Sequence, residues 1–274
     1  MDVQAHLAAS FERAAPTYDR VPFSHHAPFG EALAKLVVLG PGGRVLDVGC
    51  GAGGALLPAA WRVGPTGEAV GVDLSEGMVV RTREAAADAG LAWVRAEVMD
   101  GASLDFEDEH FDAVLCAFTL GAIPDAAGAL AEMRRVLRPT GTIGVAVWDD
   151  IVDDEWLWEG ELMGEVAGQA PPELLETVGR QSARFMGAPR LHVALRDAGF
   201  DDIKVEQTHI DRVFPSAESW WEWFRSGGTR AFVDSLPEAA QEELRERGLE
   251  RLRDATEHQR TRRFVAMLAV ARPA

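Results

Sequence analysis

The chain has 274 residues, of which 47% are hydrophobic and 26% charged, and its formal net charge is −17. Proteins that bind nucleic acids draw much of their affinity from Lys and Arg side chains that neutralise phosphates, so this charge argues against DNA or RNA as a partner. No run of about 18 apolar residues occurs, and the first residues, MDVQAHLAASFERAAP, lack the pattern of a signal peptide. Together these features predict a cytoplasmic protein without a membrane span.

The chain contains two cysteines, Cys50 and Cys116, and each falls within a predicted strand or the turn at its end. A disulfide framework or a cysteine zinc site is therefore not supported, and no metal site is expected. The length suits one large α/β domain with an elaboration.

Residues 1–29 are predicted to form an N-terminal helical cap and a lid loop. Val3, Leu7 and Phe11 are spaced as on one face of a helix, and Pro16 ends it. The loop that follows is expected to fold over a binding site. It contains Tyr18, Phe23, His25 and His26.

The stretch Arg44–Gly54, RVLDVGCGAGG, predicts a buried parallel strand that leads into a glycine-rich turn. We expect this turn to present bare N–H groups to a ligand. The same letters satisfy G-x-G-x-x-G, so nicotinamide, flavin and S-adenosylmethionine (SAM) all remain open as ligands. Asp47, just before the turn, would repel a pyrophosphate but suits a ligand with an amino group and a sulfonium.

Four further apolar runs follow the glycine turn and alternate with helical segments up to Trp148. This spacing predicts βαβ units and an open, mostly parallel sheet. The second strand ends in Asp73, at about the distance from the turn where a carboxylate binds both hydroxyls of a ribose. The third strand is followed by Met99 and Asp100. Because ligands bind at the carboxyl ends of such strands, the residues at these ends are predicted to converge on one site.

The remainder alternates between helical insertions and returning core. We predict a Rossmann-like, seven-stranded, doubly wound α/β sheet, mostly parallel with the last strand antiparallel, and with helical lid insertions. The predicted segments are a core at 30–150, a helical lid at 151–188, core again at 189–214, a helical insertion at 215–260 and a final strand at 261–274.

Several tryptophans fall near the predicted site or in the inserted segments. One interpretation is ordinary packing of the lid, and the other is an apolar pocket for a flat or hydrophobic substrate. The predicted substrate-pocket residues are Phe23, Trp148, Trp220 and Trp221.

The motifs together resemble class I SAM-dependent methyltransferases, most closely the ubiquinone/menaquinone-biosynthesis type. The resemblance rests on F-x-x-A-A-x-x-Y-D at 11–19, LDVGCGAGG, VDLS, the Met99–Asp100 pair and E-x-x-R-V-L-R-P-x-G at 132–141. It implies that Asp47, Gly49 and Gly51 contact the methionine part of SAM, Asp73 the ribose, and Met99 and Asp100 the adenine. It also implies that Tyr18 and Phe118 lie near the substrate mouth. The further predicted cofactor-binding residues are Tyr18, Cys50, Leu74, Met78, Ala117 and Phe118.

The sequence departs from the family at two places. Thr140 stands where the family usually has glycine, and the segment after Phe118, TLGAIP, lacks the histidines that many relatives have there. No base is assigned by the resemblance, so His25 and His26 are the candidate catalytic residues, with solvated loop histidines as the alternative.

We therefore predict an enzyme that transfers a methyl group from SAM to an O, N or C atom of a small, apolar metabolite. Two alternatives stay open from the sequence. One is a SAM-binding protein that shapes a pocket or catalyses a rearrangement, and the other is an NAD-dependent oxidoreductase. The expected partner is a small molecule, and a homodimer is one option for the assembly.

Overall fold

A computed structural model describes residues 3–18, 24–151, 153–170 and 185–274. The strands are β1 Arg44–Val48, β2 Glu68–Asp73, β3 Val94–Val98, β4 Phe111–Ala117, β5 Leu137–Trp148, β6 Phe200–Val213 and β7 Thr261–Pro273. The helices of the first half are α1 Val3–Ala14, α2 His26–Leu36, α3 Leu56–Val63, α4 Glu76–Asp88 and α5 Ala126–Val136. Those of the second half are α6 Leu157–Ala167, α7 Ala188–Asp197, α8 Ala217–Phe224, α9 Thr229–Ser235 and α10 Glu238–Arg253.

The seven strands form one sheet in the order β3-β2-β1-β4-β5-β7-β6. β1 pairs in parallel with β2 and β4, whereas β7 runs antiparallel between β5 and β6. The predicted doubly wound sheet with an antiparallel last strand is thereby confirmed. The strand order reverses between β1 and β4, which is where ligands bind in open α/β sheets.

Helices cover both faces of the sheet. Successive side chains of a strand point to opposite faces of the sheet, and in β1 both Val45 and Leu46 are fully buried. Val45 packs in the core cluster that includes α2 and α3, and Leu46 in the cluster that includes α5 and α7. The strands are apolar on both faces for this reason.

Helix α2 begins earlier than the sequence predicts. Residues up to 29 were predicted to belong to the cap and lid loop, but the helix starts at His26, with His25 as the preceding N-cap residue. Pro28 suggested a loop, yet proline is tolerated in the first turn of a helix, where its missing N–H has no intrahelical partner. His25 and His26 are therefore held by a helix that packs on the sheet through the buried Phe29 and Leu33.

The outer ends of β6 and β7 extend beyond the rest of the sheet. β5 pairs with β7 as far as Trp148 and Ala266, while β6 and β7 stay paired out to Val213 and Thr261. This two-stranded extension and the helices α6 and α8 to α10 pack around a tryptophan-rich cluster. Within the described part of the chain, no helix has the length and apolar character needed to cross a membrane.

Candidate active site

A cavity of about 730 Å³ lies at the carboxyl edge of the sheet. The ends of β1, β2, β4 and β5 form its floor, and α1, α6, α8, α9 and the extension of β7 form its sides. An apolar and aromatic lining with a few polar groups is usual for a small-molecule site. The sequence-predicted residues that border this cavity are Tyr18, His25, His26, Asp47, Gly49, Cys50, Gly51, Asp73, Leu74, Met78, Met99, Asp100, Ala117, Phe118 and Trp148.

The turn after β1 needs glycine for its backbone conformation and for space. Gly49, Gly51 and Gly53 have φ values of 73°, 54° and 86°, in the left-handed region that other residues rarely adopt. At Gly49 a Cβ atom would also lie 2.1 Å from the side chain of Thr119. The turn therefore runs close against Thr119, just after the end of β4.

Three amide groups of this turn are bonded within the protein, which limits the bare N–H groups that the turn can present to a ligand. Gly49 and Cys50 both donate to the carbonyl oxygen of Val72, at 2.8 and 3.0 Å. Gly51 donates to Oδ2 of Asp73 at 3.0 Å. These three bonds join the turn to β2, and the carboxylates of Asp47 and Asp73 border the cavity beside it.

Asp47, near the end of β1, is 1% exposed, and its Oδ1 atom has no hydrogen-bond partner among the described residues. Burial, and then the nearby charge of Asp73, raise the pKa of Asp47 to about 7, although a backbone hydrogen bond from Leu56 opposes the shift. A buried carboxylate with an unused oxygen that borders a cavity favours a cationic ligand. The ammonium group of SAM's methionine part fits this requirement.

Asp73 supports the turn and also faces the cavity. Its Oδ2 accepts the Gly51 N–H, and its Oδ1 accepts the Ser75 N–H at 3.0 Å. Burial raises its pKa in spite of these hydrogen bonds. Each carboxylate oxygen can accept further hydrogen bonds, so binding of two ribose hydroxyls is compatible with its structural contacts. The side chain of Ser75, the N-cap residue of α4, accepts a hydrogen bond from the Met78 N–H.

Asp100 and Cys50 are two further predicted cofactor residues that border the cavity. Asp100 accepts hydrogen bonds from the backbone of Ala102 at 2.9 Å and from Nε2 of Gln4 at 2.7 Å. The pKa of the Cys50 thiol is raised well above its usual value by burial, so Cys50 is neutral and contributes packing only.

Helix α1 lies over this part of the cavity and is fixed at both sides. Oε2 of Glu12 accepts from the Ser75 hydroxyl at 2.7 Å and from the Gly77 N–H at 2.8 Å, at the start of α4. Arg13 pairs with Asp234 of α9 at 2.7 Å. The helix thus connects the cofactor side of the site to the inserted helices.

Aromatic rings form the opposite part of the cavity. Phe118 stacks on Trp148 with ring centroids 4.1 Å apart, and His25 stacks on Phe264 at 4.3 Å. Phe118 has a φ of 60°, which costs a bulky residue about 1–3 kcal/mol and is characteristic of functional sites. Its backbone N–H is bonded to the carbonyl of Ala146, so the strained residue is held in position by β5.

The two candidate histidines differ in their surroundings. His25 is 4% exposed, and its Nδ1 accepts a hydrogen bond from the indole N–H of Trp223. Burial, and then the charges of His26, Arg262 and Arg212, lower the pKa of His25 well below its ordinary value, so it is neutral. The ring of His26 stacks on Tyr18 at 5.3 Å and borders the same cavity.

Two of the predicted substrate-pocket residues do not border the cavity. Trp220 is fully buried beneath it, donates its indole N–H to Oε1 of Glu159 at 2.8 Å and packs against Gly248. Trp221 stacks on Phe224 on the far side of α8. Trp223, on the same helix, borders the cavity instead. Only one face of a helix can point toward the site, so the three tryptophans of α8 face different surroundings. Phe23 lies outside the described residues.

Three residues that border the cavity were not predicted from the sequence: Glu159, Arg262 and Phe264. They belong to the side formed by α6 and the extension of β7, which we call the outer wall of the cavity. The alternation of RRFVAM in β7 places Arg262 and Phe264 on one face, a signal that predicts a shared orientation but not which face borders a cavity.

Comparisons with known proteins agree with this geometry. Residues 45–141 match the family described as Methyltransferase domain. The chain is 35% identical over 230 residues to nocamycin O-methyltransferase from Saccharothrix syringae, covering 81% of this chain and 82% of that protein. It is 29% identical over 206 residues to demethylmenaquinone methyltransferase from Listeria welshimeri, covering 71% of this chain and 87% of that protein.

Solved structures share the fold. The YcgJ protein from Bacillus subtilis matches with a TM-score of 0.60 at 18% identity, over 91% of this chain and 100% of that chain. An identity this low supports the fold, not the substrate.

Proposed function

The chain belongs to the class I SAM-dependent methyltransferases, and we propose that the methyl acceptor is an oxygen atom of a small aromatic molecule. SAM-dependent methylation of a small molecule follows from the family. The oxygen acceptor is supported by the relative named as an O-methyltransferase, at 35% identity over most of both chains. The aromatic substrate is supported by the stacked pair of Phe118 and Trp148 at the cavity.

The observation that carries the SAM site in this proposal is Oδ1 of Asp47, which has no hydrogen-bond partner among the described residues. In the proposed arrangement Asp47 binds the ammonium group of SAM, Asp73 the ribose hydroxyls, and Met99 and Asp100 the adenine. A pyrophosphate cofactor is disfavoured at this position by the carboxylates of Asp47 and Asp73, and the amides of Gly49, Cys50 and Gly51 are already bonded to Val72 and Asp73. NAD is therefore the weaker alternative.

When bound, SAM supplies an electrophilic methyl group on a positively charged sulfur. Transfer of that group by in-line displacement depends on alignment, and holding both reactants in a reactive orientation contributes up to about 7–11 kcal/mol. In this chain the turn and its carboxylates fix one reactant, while Phe118 and Trp148 offer flat surfaces on which an aromatic acceptor can lie.

The hydroxyl that accepts the methyl group must lose its proton. We assign proton acceptance to His26, which borders the cavity between Tyr18 and Phe118. His25 has its Nδ1 occupied by the Trp223 N–H, so the proton of this neutral ring is on Nε2. His25 therefore acts as a hydrogen-bond donor to the substrate oxygen rather than as a base.

The test is a reaction with methyl-labelled SAM and a panel of hydroxylated naphthalenes and anthraquinones, followed by NMR assignment of the labelled carbon. The proposal predicts S-adenosylhomocysteine as a product and the label on oxygen. A label on carbon or nitrogen would contradict the oxygen acceptor. Binding of SAM with consumption of an acceptor but no methylated product would favour a SAM-binding protein that catalyses a rearrangement.

A further inference from the structure

The outer wall of the cavity carries a guanidinium group that the proposed methyl transfer does not use. Arg262 lies on β7 beyond Ala266, the residue that pairs with Trp148 at the end of β5. At about 3.3 Å per residue it is roughly 13 Å farther out along the strand than that pair. It borders the cavity at the end opposite the carboxylates of the glycine turn.

One end of this guanidinium is held by a buried carboxylate. Nη1 of Arg262 lies 2.6 Å from Oε1 of Glu159, and the two side chains are 19% and 6% exposed. The Trp220 indole N–H also donates to Glu159 and fixes its orientation. Glu159 therefore holds Arg262 through one nitrogen of the guanidinium group, Nη1.

Aromatic faces hold the rest of the guanidinium in place. Its central carbon lies 4.7 Å from the ring centre of Trp223, 4.9 Å from Phe264 and 5.3 Å from Trp156. Contacts of this kind are attractive and favour Arg, whose planar group is weakly hydrated. The orientation of Arg262 is thus set before any substrate binds.

The remaining donors of Arg262 have no partner. Within the described residues, Nε and Nη2 make no hydrogen bond, although neither is fully buried. The adjacent Arg263 also borders the cavity, but its Nε and Nη2 donate to the two carboxylate oxygens of Asp211, at 2.8 and 2.9 Å. Of the two arginines on this wall, only Arg262 offers an open pair of parallel donors.

We propose that the Nε and Nη2 edge of Arg262 binds a carboxylate of the substrate through both of its oxygens. The pair of N–H groups matches two such oxygens, a geometry that adds orientation as well as affinity. This inference rests on the proposed function and specifies its substrate class as an aromatic acid. In a chain of net charge −17, an anionic substrate needs such a local cation.

The experiment titrates the protein, loaded with S-adenosylhomocysteine, with benzoate, 2-naphthoate and anthracene-2-carboxylate and with the three matching carboxamides. Wild type is expected to prefer at least one carboxylate over its carboxamide by about tenfold to hundredfold. Arg262→Gln should remove this preference while binding S-adenosylhomocysteine as wild type does, and Arg262→Lys should restore part of it.

Two further variants distinguish carboxylate recognition by Arg262 from a purely structural role of this residue. Glu159→Gln keeps an acceptor for Trp220 and removes a negative charge beside Arg262, so carboxylate affinity should rise. Arg263→Gln should leave the preference unchanged, because the donors of Arg263 are bonded to Asp211.

Equal loss of carboxylate and carboxamide binding in Arg262→Gln would overturn the proposal, as would a wild type that binds S-adenosylhomocysteine but prefers no carboxylate. A wild type that fails to bind S-adenosylhomocysteine would contradict the proposed function itself.

Discussion

The indole nitrogen of Trp223 lies 3.1 Å from Nδ1 of His25 and donates its proton to it. Because an indole N–H can only donate, Nδ1 must accept, and the neutral imidazole keeps its proton on Nε2. One contact from an inserted helix thereby determines what His25 can do in the cavity.

Replacing Trp223 by Phe keeps an aromatic ring at this position and removes the N–H. We expect kcat for methyl transfer to fall about tenfold, since the imidazole is no longer held as the Nε2–H form, while SAM affinity is retained. Trp221→Phe is the matched control, because Trp221 lies on the same helix away from the cavity. Similar losses in both variants would show that the effect comes from helix packing.

The sheet could be predicted from the sequence because its signals are local. β1 and β2 combine apolar runs with glycine turns and terminal carboxylates, and Asp47 and Asp73 do lie together at the carboxyl edge. The occupied N–H groups of the turn could not be predicted, since Val72, their partner, comes from a different strand whose register is set by the fold.

The aromatic residues that border the site were harder to predict from the sequence. WWEW offers three tryptophans on one helix, and the spacing does not say which of them borders a cavity. The orientation of α8 decides it, with Trp220 turned to Glu159 and Gly248 and Trp223 turned to His25. The position of Arg262 at the cavity could not be predicted either, because it is set by residues distant in the sequence such as Glu159.

Asp73→Asn tests whether a residue that holds the turn also binds the ligand. The variant keeps acceptor capacity on one side-chain atom only, so the hydrogen bonds to Gly51 and Ser75 cannot both persist. We expect a loss of about 1–3 kcal/mol in stability without ligand and a loss of SAM affinity of about tenfold or more. Thermal melting with and without SAM measures both. A variant that loses stability but keeps the SAM-induced rise in Tm would assign Asp73 to the turn alone.

Glu12→Ala tests whether α1 contributes to cofactor binding. The change removes two hydrogen bonds to the start of α4 and should weaken SAM binding by roughly five- to fiftyfold, with little change in the sheet core. Glu31→Ala, which removes an exposed pair with Lys35, is the control. Deleting residues 1–29 would be a poorer test because it removes the start of α2 and the buried Phe29. Unchanged SAM affinity in Glu12→Ala would separate α1 from the site.

Gly49→Ala and Gly51→Ala form a pair that separates backbone strain from close contact. Both glycines have positive φ, but a Cβ at Gly49 meets Thr119 at 2.1 Å, whereas the nearest atom to one at Gly51 is 3.6 Å away on Tyr18. We expect Gly51→Ala to cost about 1–2 kcal/mol from strain alone and Gly49→Ala to cost more than that. Denaturant melts check the order, and equal costs would mean that the turn moves away from Thr119 without penalty.

The central claim is that the buried Oδ1 of Asp47, which has no hydrogen-bond partner among the described residues, binds the ammonium group of SAM. Its folded pKa is raised to about 7, from 3.8, so the folded state binds the extra proton and this group's contribution to stability is greatest at low pH and lost as pH rises through about 7. Asp47→Asn removes that cost, so the variant without ligand should melt higher than wild type at pH 7.5. It should also bind SAM more weakly, because the ammonium loses its ionised partner.

The most direct measurement is calorimetric titration of wild type and Asp47→Asn with SAM at pH 6 and pH 7.5. Because SAM binding requires ionised Asp47, the account predicts wild-type affinity roughly five- to tenfold weaker at pH 6, and a variant that binds weakly with a much smaller dependence on pH. A variant that matches wild-type affinity at both pH values would contradict the assignment of Asp47 to the cofactor.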